Sequence, residues 1–171
     1  GIAPGDEWEP FAGMGDNAAS ALRDFVANSP IGRKRNDRPA ARIEVPARLP
    51  VPDGKEQSTQ AAFGRILLEL SKSKDPIDSA LADRILTTSP DVTVSTNLGA
   101  FVNQRGLFRR QELQDVFQAA RIPSPQKWAG HAAGQHVELG IAENNLFLML
   151  AAAGLAGPLF GTRLLPVGTV Y

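Results

Sequence analysis

The spacing of apolar residues divides this chain at about Ser58. Beyond that point, stripes of helical period alternate with short apolar or β-branched runs. Ala62, Phe63, Ile66, Leu67 and Leu70 predict a helix over Thr59–Ser71. A second, shorter helix is expected around Ile77–Ala82. Arg84–Thr88 reads as a strand, closed by Ser89-Pro90-Asp91. Val92–Leu98 is polar and β-branched and reads as a loop leaving that strand. Leu113, Val116, Phe117 and Ala120 predict a helix over Gln111–Ala120. Ile122–Ala133 holds Pro123, Pro125, Trp128 and Gly130 and reads as loop. A strand at His136–Leu139, a helix at Glu143–Leu155 and a strand at Leu164–Val170 complete the pattern.

This alternation predicts an α/β fold, a parallel sheet flanked by helices. In such sheets a ligand crevice lies outside the carboxyl ends of the strands. Two segments are expected there, Ser89-Pro90-Asp91 and Gly140-Ile141-Ala142-Glu143.

Residues 1–57 follow another pattern. A short helix is expected from Asp16 or Asn17 through Val26, with Leu22, Phe25 and Val26 on one face, ending near Asn28-Ser29-Pro30. The basic run Arg33-Lys34-Arg35, with Arg38 close behind, reads as a solvated loop. Pro46, Pro50 and Pro52 favour an extended connector over Arg42–Asp53. Residues 1–57 are therefore read as an interdomain linker and 58–171 as the globular part. The chain starts at Gly1 and stops straight after a strand-like run, so a piece of a longer polypeptide is expected.

Composition narrows the function classes. Eighteen Lys+Arg balance eighteen Asp+Glu, so no global field attracts nucleic acid or an anionic membrane. There is no cysteine, hence no disulfide, thiolate metal site or cysteine nucleophile, and a cytoplasmic home is expected. His131 and His136 fit no metal spacing, and no metal ligand is assigned. The longest apolar stretch, Leu146–Ala156, is too short for a bilayer. Ser89 and Ser124 lack a nucleophile-elbow context, and no dinucleotide or Walker loop is present.

Glu143 is the sharpest candidate. It opens an almost wholly apolar helix, which is expected to be buried on most faces, so that the carboxylate faces an internal crevice. Gly140, three residues earlier, permits a backbone conformation closed to other residues. The plainer alternative is a first-turn carboxylate favoured by the helix dipole. Asp91 has its own alternative, an Asx turn after Pro90. His136 is read as a packed or surface strand residue, His131 as lining an entrance, and Tyr171 as a strand end.

Several of these segments resemble a known family. Gly134-Gln135, four residues, then Gly140-Ile141-x-Glu143 is similar to the motif of homodimeric pyruvate dehydrogenase E1 components. Transketolases carry a related Gly-Val-Arg-Glu turn. Thr88–Leu98 is similar to the Ser-Ala-Asp-Leu-Thr-x-Ser-Asn-Leu segment of transketolases, with one extra residue before Asn97. Arg105-Gly106-Leu107-Phe108 resembles a Gly-Leu-Phe of the E1 enzymes. The resemblance covers about Ser58–Tyr171 and implies the N-terminal part of a pyrimidine-binding domain of a thiamine-diphosphate enzyme.

It further implies that Glu143 is catalytic and bonds the cofactor's aminopyrimidine ring. Asp91, Gly140 and Ile141 would bind cofactor, and Ser95 and Asn97 would bind substrate. The family's metal-holding Gly-Asp-Gly is missing from this chain. Mg²⁺ and the diphosphate would then be held by a diphosphate-binding domain, contributed by the second subunit of a homodimer, and this chain alone would be inactive. The implied reaction is decarboxylation of a 2-oxo acid, pyruvate first among them, with the acyl group passed to lipoyl on an acyltransferase partner. The alternatives are transketolase-type two-carbon transfer between sugar phosphates and a non-catalytic assembly module of the same fold.

Overall fold

The computed structural model describes residues 14–29, 40–54, 56–111, 119–123 and 127–170. The basic run Arg33–Arg38, residues 112–118 of the expected Gln111–Ala120 helix, Ser124, Pro125 and Tyr171 lie outside the described residues. In chain order the elements are α1 (Asp16–Asn28), α2 (Thr59–Lys72), α3 (Pro76–Ala82), β1 (Ile85–Ser89), α4 (Gly99–Arg105), β2 (Leu107–Phe108), β3 (Gly130–His131), β4 (His136–Glu138), α5 (Glu143–Gly154), α6 (Ala156–Phe160) and β5 (Leu165–Gly168).

The helices start where local chemistry satisfies their free N–H groups. The Ser58 hydroxyl accepts from the Ala61 N–H at the head of α2. Asp75 accepts from the N–H groups of Ile77 and Asp78 at the head of α3, with Pro76 in the first helical position.

The five strands form one all-parallel sheet in the order β3-β2-β4-β1-β5, flanked by helices, as the alternating pattern requires. β1 is its second-to-last strand by order but its hub by pairing. Thr87 faces His136 and Ser89 faces Glu138 across to β4, while Ile85 faces Leu165 across to β5. One apolar cluster, Leu67, Leu70, Leu81, Ala82, Ile85, Leu98, Phe101 and Val102, joins α2, α3 and α4 to β1.

Some elements had no pattern to announce them. α4 is seven residues long and begins at a glycine; β2 and β3 have two residues each, too few for any periodicity. β3 lies inside the stretch expected to be loop. The expected first helix is present as α1; Ala19 is buried, while Phe25 and Val26 of its apolar stripe are exposed. The described part of the connector, Arg42–Asp53, holds no helix or strand, yet Ile43 packs against the core cluster.

The Gly134-Gln135 pair receives a structural explanation. A side chain at Gly134 would run into the backbone of Leu107, so only glycine lets β4 enter beside β2. The Gln135 amide then donates to the carbonyls of Ala82 (2.8 Å) and Ile85 (2.6 Å), pinning the start of β1. Gly134→Ala is expected to destabilise the fold by about 1–3 kcal/mol or more, because the obstacle is backbone. Gly154→Ala meets nothing within 4 Å and is expected to be neutral or stabilising by up to about 1 kcal/mol. Urea denaturation of the two variants beside the parent chain checks both.

Candidate functional site

Parallel pairing of β1 with β4 brings the two expected segments to the same end of the sheet. Beyond Ser89 the chain turns through Pro90 and Asp91; beyond Glu138 it turns through Gly140 to Glu143. The Leu139 N–H donates to the Ser89 carbonyl (3.1 Å), which holds the two exits side by side. A cleft of about 370 Å³ opens here, lined by Asp91, Val92, Thr93, Val94, Ser95, Trp128 and Glu138. A second cavity of about 280 Å³, with Arg42, Glu44, Arg84 and Arg163 among its walls, lies at the opposite, amino ends of β1 and β5.

Asp91 and Asn97, two of the expected site residues, bracket the turn after β1. Both adopt left-handed backbone, with φ of 63° and 61°. Asp and Asn tolerate this conformation better than other non-glycine residues, and such outliers concentrate at functional sites. Asp91 and Ser95 line the cleft; Asn97 is exposed at the far end of the turn and is not among the lining residues. The Asp91 N–H is held by Glu138 Oε1 at 2.7 Å.

Gly140 takes φ of 67°, the left-handed turn that its identity permits, with open space where a side chain would sit. Ile141 is 83% exposed. Glu143 is the first residue of α5, and its side chain makes no hydrogen bond or ion pair among the described residues. The expected burial of this helix is not found. Only Leu146 and Ala153 are buried, while Phe147 and Leu148 are 61% and 68% exposed. The physical reason is one-sided packing: α5 contacts β1 and β5, and no described element covers its outer face. Glu143 is consequently exposed, not enclosed in a crevice of this chain.

The most organised chemistry lies one step deeper, on residues not singled out as a site. His136, read as packed or surface, is fully buried. Its Nδ1 is 2.9 Å from Thr87 Oγ1 and its Nε2 2.8 Å from Thr93 Oγ1. Thr93 Oγ1 donates in turn to Glu138 Oε2 (2.5 Å) and lies 2.7 Å from Ser89 Oγ. Glu138 carries this network to the cleft, its side chain 19% exposed. A signal existed in the sequence: His136 and Glu138 stand two apart, as do Thr87 and Ser89, so each polar pair shares one face of its strand.

Burial pushes the His136 pKa below 6.5, against the opposing pull of the Glu138 charge and hydrogen bonding. The ring is therefore neutral, and the 3.5 Å approach of Nε2 to Glu138 Oε2 is not an ion pair in that state. The indole Nε1 of Trp128, in the cleft wall, is buried without a partner. Among the described residues no group of three or more His, Cys, Asp or Glu side chains gathers as a metal site. No described helix is long and apolar enough to cross a membrane.

No protein-family model, curated protein or solved structure matches the chain.

Two outcomes follow from this geometry. Thr93→Val strips a partner from both His136 Nε2 and Glu138 Oε2 and is expected to cost about 1–3 kcal/mol, with Thr93→Ser costing far less; denaturant titration measures both. The second concerns pH. An unfolded chain protonates His136 near 6.5, whereas the folded chain resists until lower pH. Stability contributed by the neutral ring is therefore complete above 6.5 and is lost as pH falls towards the depressed folded value. Thermal melts between pH 7.5 and 5 (on the order of two units around the histidine value) should show this slope in the parent and lose most of it in His136→Asn.

Proposed function

We propose that this chain supplies the pyrimidine-binding half of a thiamine-diphosphate site in an enzyme resembling the 2-oxo acid dehydrogenase E1 components. The observation that carries the reading is the side-by-side exit of β1 and β4, which puts the Asp91 turn and the Gly140–Glu143 turn at one end of the sheet. In a parallel sheet that end is where ligands bind.

The residues present fit the group. Glu143 is an exposed carboxylate at a helix mouth, with no partner among the described residues, so it is free to bond a ring nitrogen. Beside it Ile141, Phe147 and Leu148 expose apolar surface that suits an aromatic ring and the facing domain. Asp91 and Gly140 supply the turns that frame this end, and Ser95, its hydroxyl donating to the Val92 carbonyl at 3.1 Å, lines the cleft where substrate would bind. When bound, thiamine diphosphate supplies the electron sink for decarboxylation. Glu143 would hold and exchange a proton at the pyrimidine ring, which requires a carboxyl group at this position.

Mg²⁺ and the diphosphate would be held by a second domain, from the partner subunit of a homodimer. The uncovered face of α5 supports docking of such a domain. The substrate would be a 2-oxo acid such as pyruvate, and the acyl group would pass to lipoyl on an acyltransferase. The reading also implies a cytoplasmic enzyme.

The test is pyruvate decarboxylation with an artificial electron acceptor, using the chain assembled with its diphosphate-binding domain, parent beside Glu143→Gln. The variant is expected to fold and to lose roughly 10²–10⁴-fold in turnover. Turnover of ketose phosphates instead of pyruvate would move the assignment to two-carbon transfer. Failure of both proteins to bind thiamine diphosphate would remove it altogether and leave a non-catalytic module.

A further inference from the structure

The buried network beneath the cleft has a direction. Hydrogen-bond donors and acceptors can be counted along it, because each hydroxyl carries one hydrogen and a neutral imidazole carries one. With the Glu138 carboxylate ionised, the Thr93 hydroxyl must donate to it, leaving Thr93 Oγ1 to accept from His136 Nε2–H. Nδ1 is then bare and accepts from the Thr87 hydroxyl. The chain runs one way, Thr87 to His136 to Thr93 to Glu138, and no polar atom in it is orphaned.

A proton on Glu138 reverses every link. Glu138 donates to Thr93, Thr93 donates to Nε2, and Nδ1–H donates to Thr87. The Thr87 hydroxyl then needs a new acceptor, and the Gln135 carbonyl stands 3.2 Å from it. The ring stays neutral in both states. Its hydrogen leaves Nε2 for water and another arrives at Nδ1 from water, by solvent exchange during local opening. Both directions are fully satisfied, so neither is penalised by a lost hydrogen bond.

The geometry points to Glu138 as the proton-accepting group of the cleft, with Thr93 and His136 as positioning residues whose hydrogen-bond direction follows its protonation. The ligand class is one that presents an O–H or N–H to the cleft. The ligand's X–H bond breaks, the ligand keeps the electron pair, and an O–H bond forms on Glu138. Among the described residues no basic side chain lines the cleft to compete for the carboxylate. Among the described residues the groups facing the ring are uncharged apart from Glu138: Thr87 lies across from it on β1, Leu107 on β2, and Thr93 on the turn. Asp91 meets Glu138 through its backbone N–H, and the Arg105 guanidinium is turned away to Asp83 and the Ser71 carbonyl. This assignment is independent of which ligand the cleft takes and stands or falls separately from the thiamine-diphosphate reading.

The experiment is NMR of the full chain with ¹⁵N-labelled histidine, using His131, the only other histidine, as the internal control. The parent at neutral pH should show the Nε2–H tautomer of His136. Glu138→Gln, whose amide donates where the carboxylate accepted, should show the Nδ1–H tautomer at the same pH. Thr93→Val should uncouple the ring, so that adding Glu138→Gln to it no longer changes the tautomer, and Thr93→Ser should restore the response. One tautomer shared by the parent and Glu138→Gln, or a tautomer that still follows Glu138→Gln in the Thr93→Val background, overturns the proposal.

Discussion

Three consecutive hydroxyl side chains, Thr87, Thr88 and Ser89, are buried at 0–1% exposure in the strand at the hub of the sheet. Buried hydroxyls must be bonded or they cost about 1–3 kcal/mol each. All three find partners on β4 or the residue before it: Thr87 on His136 and the Gln135 carbonyl, Thr88 on the Val137 carbonyl (2.8 Å), Ser89 on Glu138 (3.3 Å). This requirement fixes the β1–β4 register more firmly than shape alone would. A slip of one residue would turn His136 and Glu138 to the other face and take these side-chain partners from Thr87 and Ser89.

The register in turn builds the cleft. Glu138, opposite Ser89, catches the Asp91 N–H and Thr93 hydroxyl and so shapes the turn that forms one wall. That turn holds two left-handed residues, a strain of order 1–2 kcal/mol apiece that the network must over-determine. The polar interior and the cleft are thus one construction: satisfying buried hydroxyls places a carboxylate at the cleft surface with its hydroxyl partners already in place.

The outer side is built on different physics. α5 buries a narrow stripe against β1 and β5 and leaves Phe147, Leu148 and, before the helix, Ile141 in solvent. A helix this apolar is stable in water only if more of it is covered than the described residues cover. The proposed second domain answers that need, and it would also bring a cofactor's remaining contacts to Glu143.

The sequence by itself determined the class of fold, the positions of α2, α3, β1, β4, α5 and β5 to within two residues, and the gathering of Ser89–Asp91 with Gly140–Glu143, since hydrophobic period and strand parallelism are local and general properties. α4, β2 and β3 escaped because they are short and are held by neighbours distant in sequence. Only the tertiary structure decided burial. His136 and Glu138 showed polar alternation on a strand, but which face would be sealed depended on Thr87, Ser89 and Thr93 arriving from 43 to 49 residues away. The apolar run after Glu143 was legible as a helix, but its exposure was not, because a sequence records how apolar a surface is and not what lies against it.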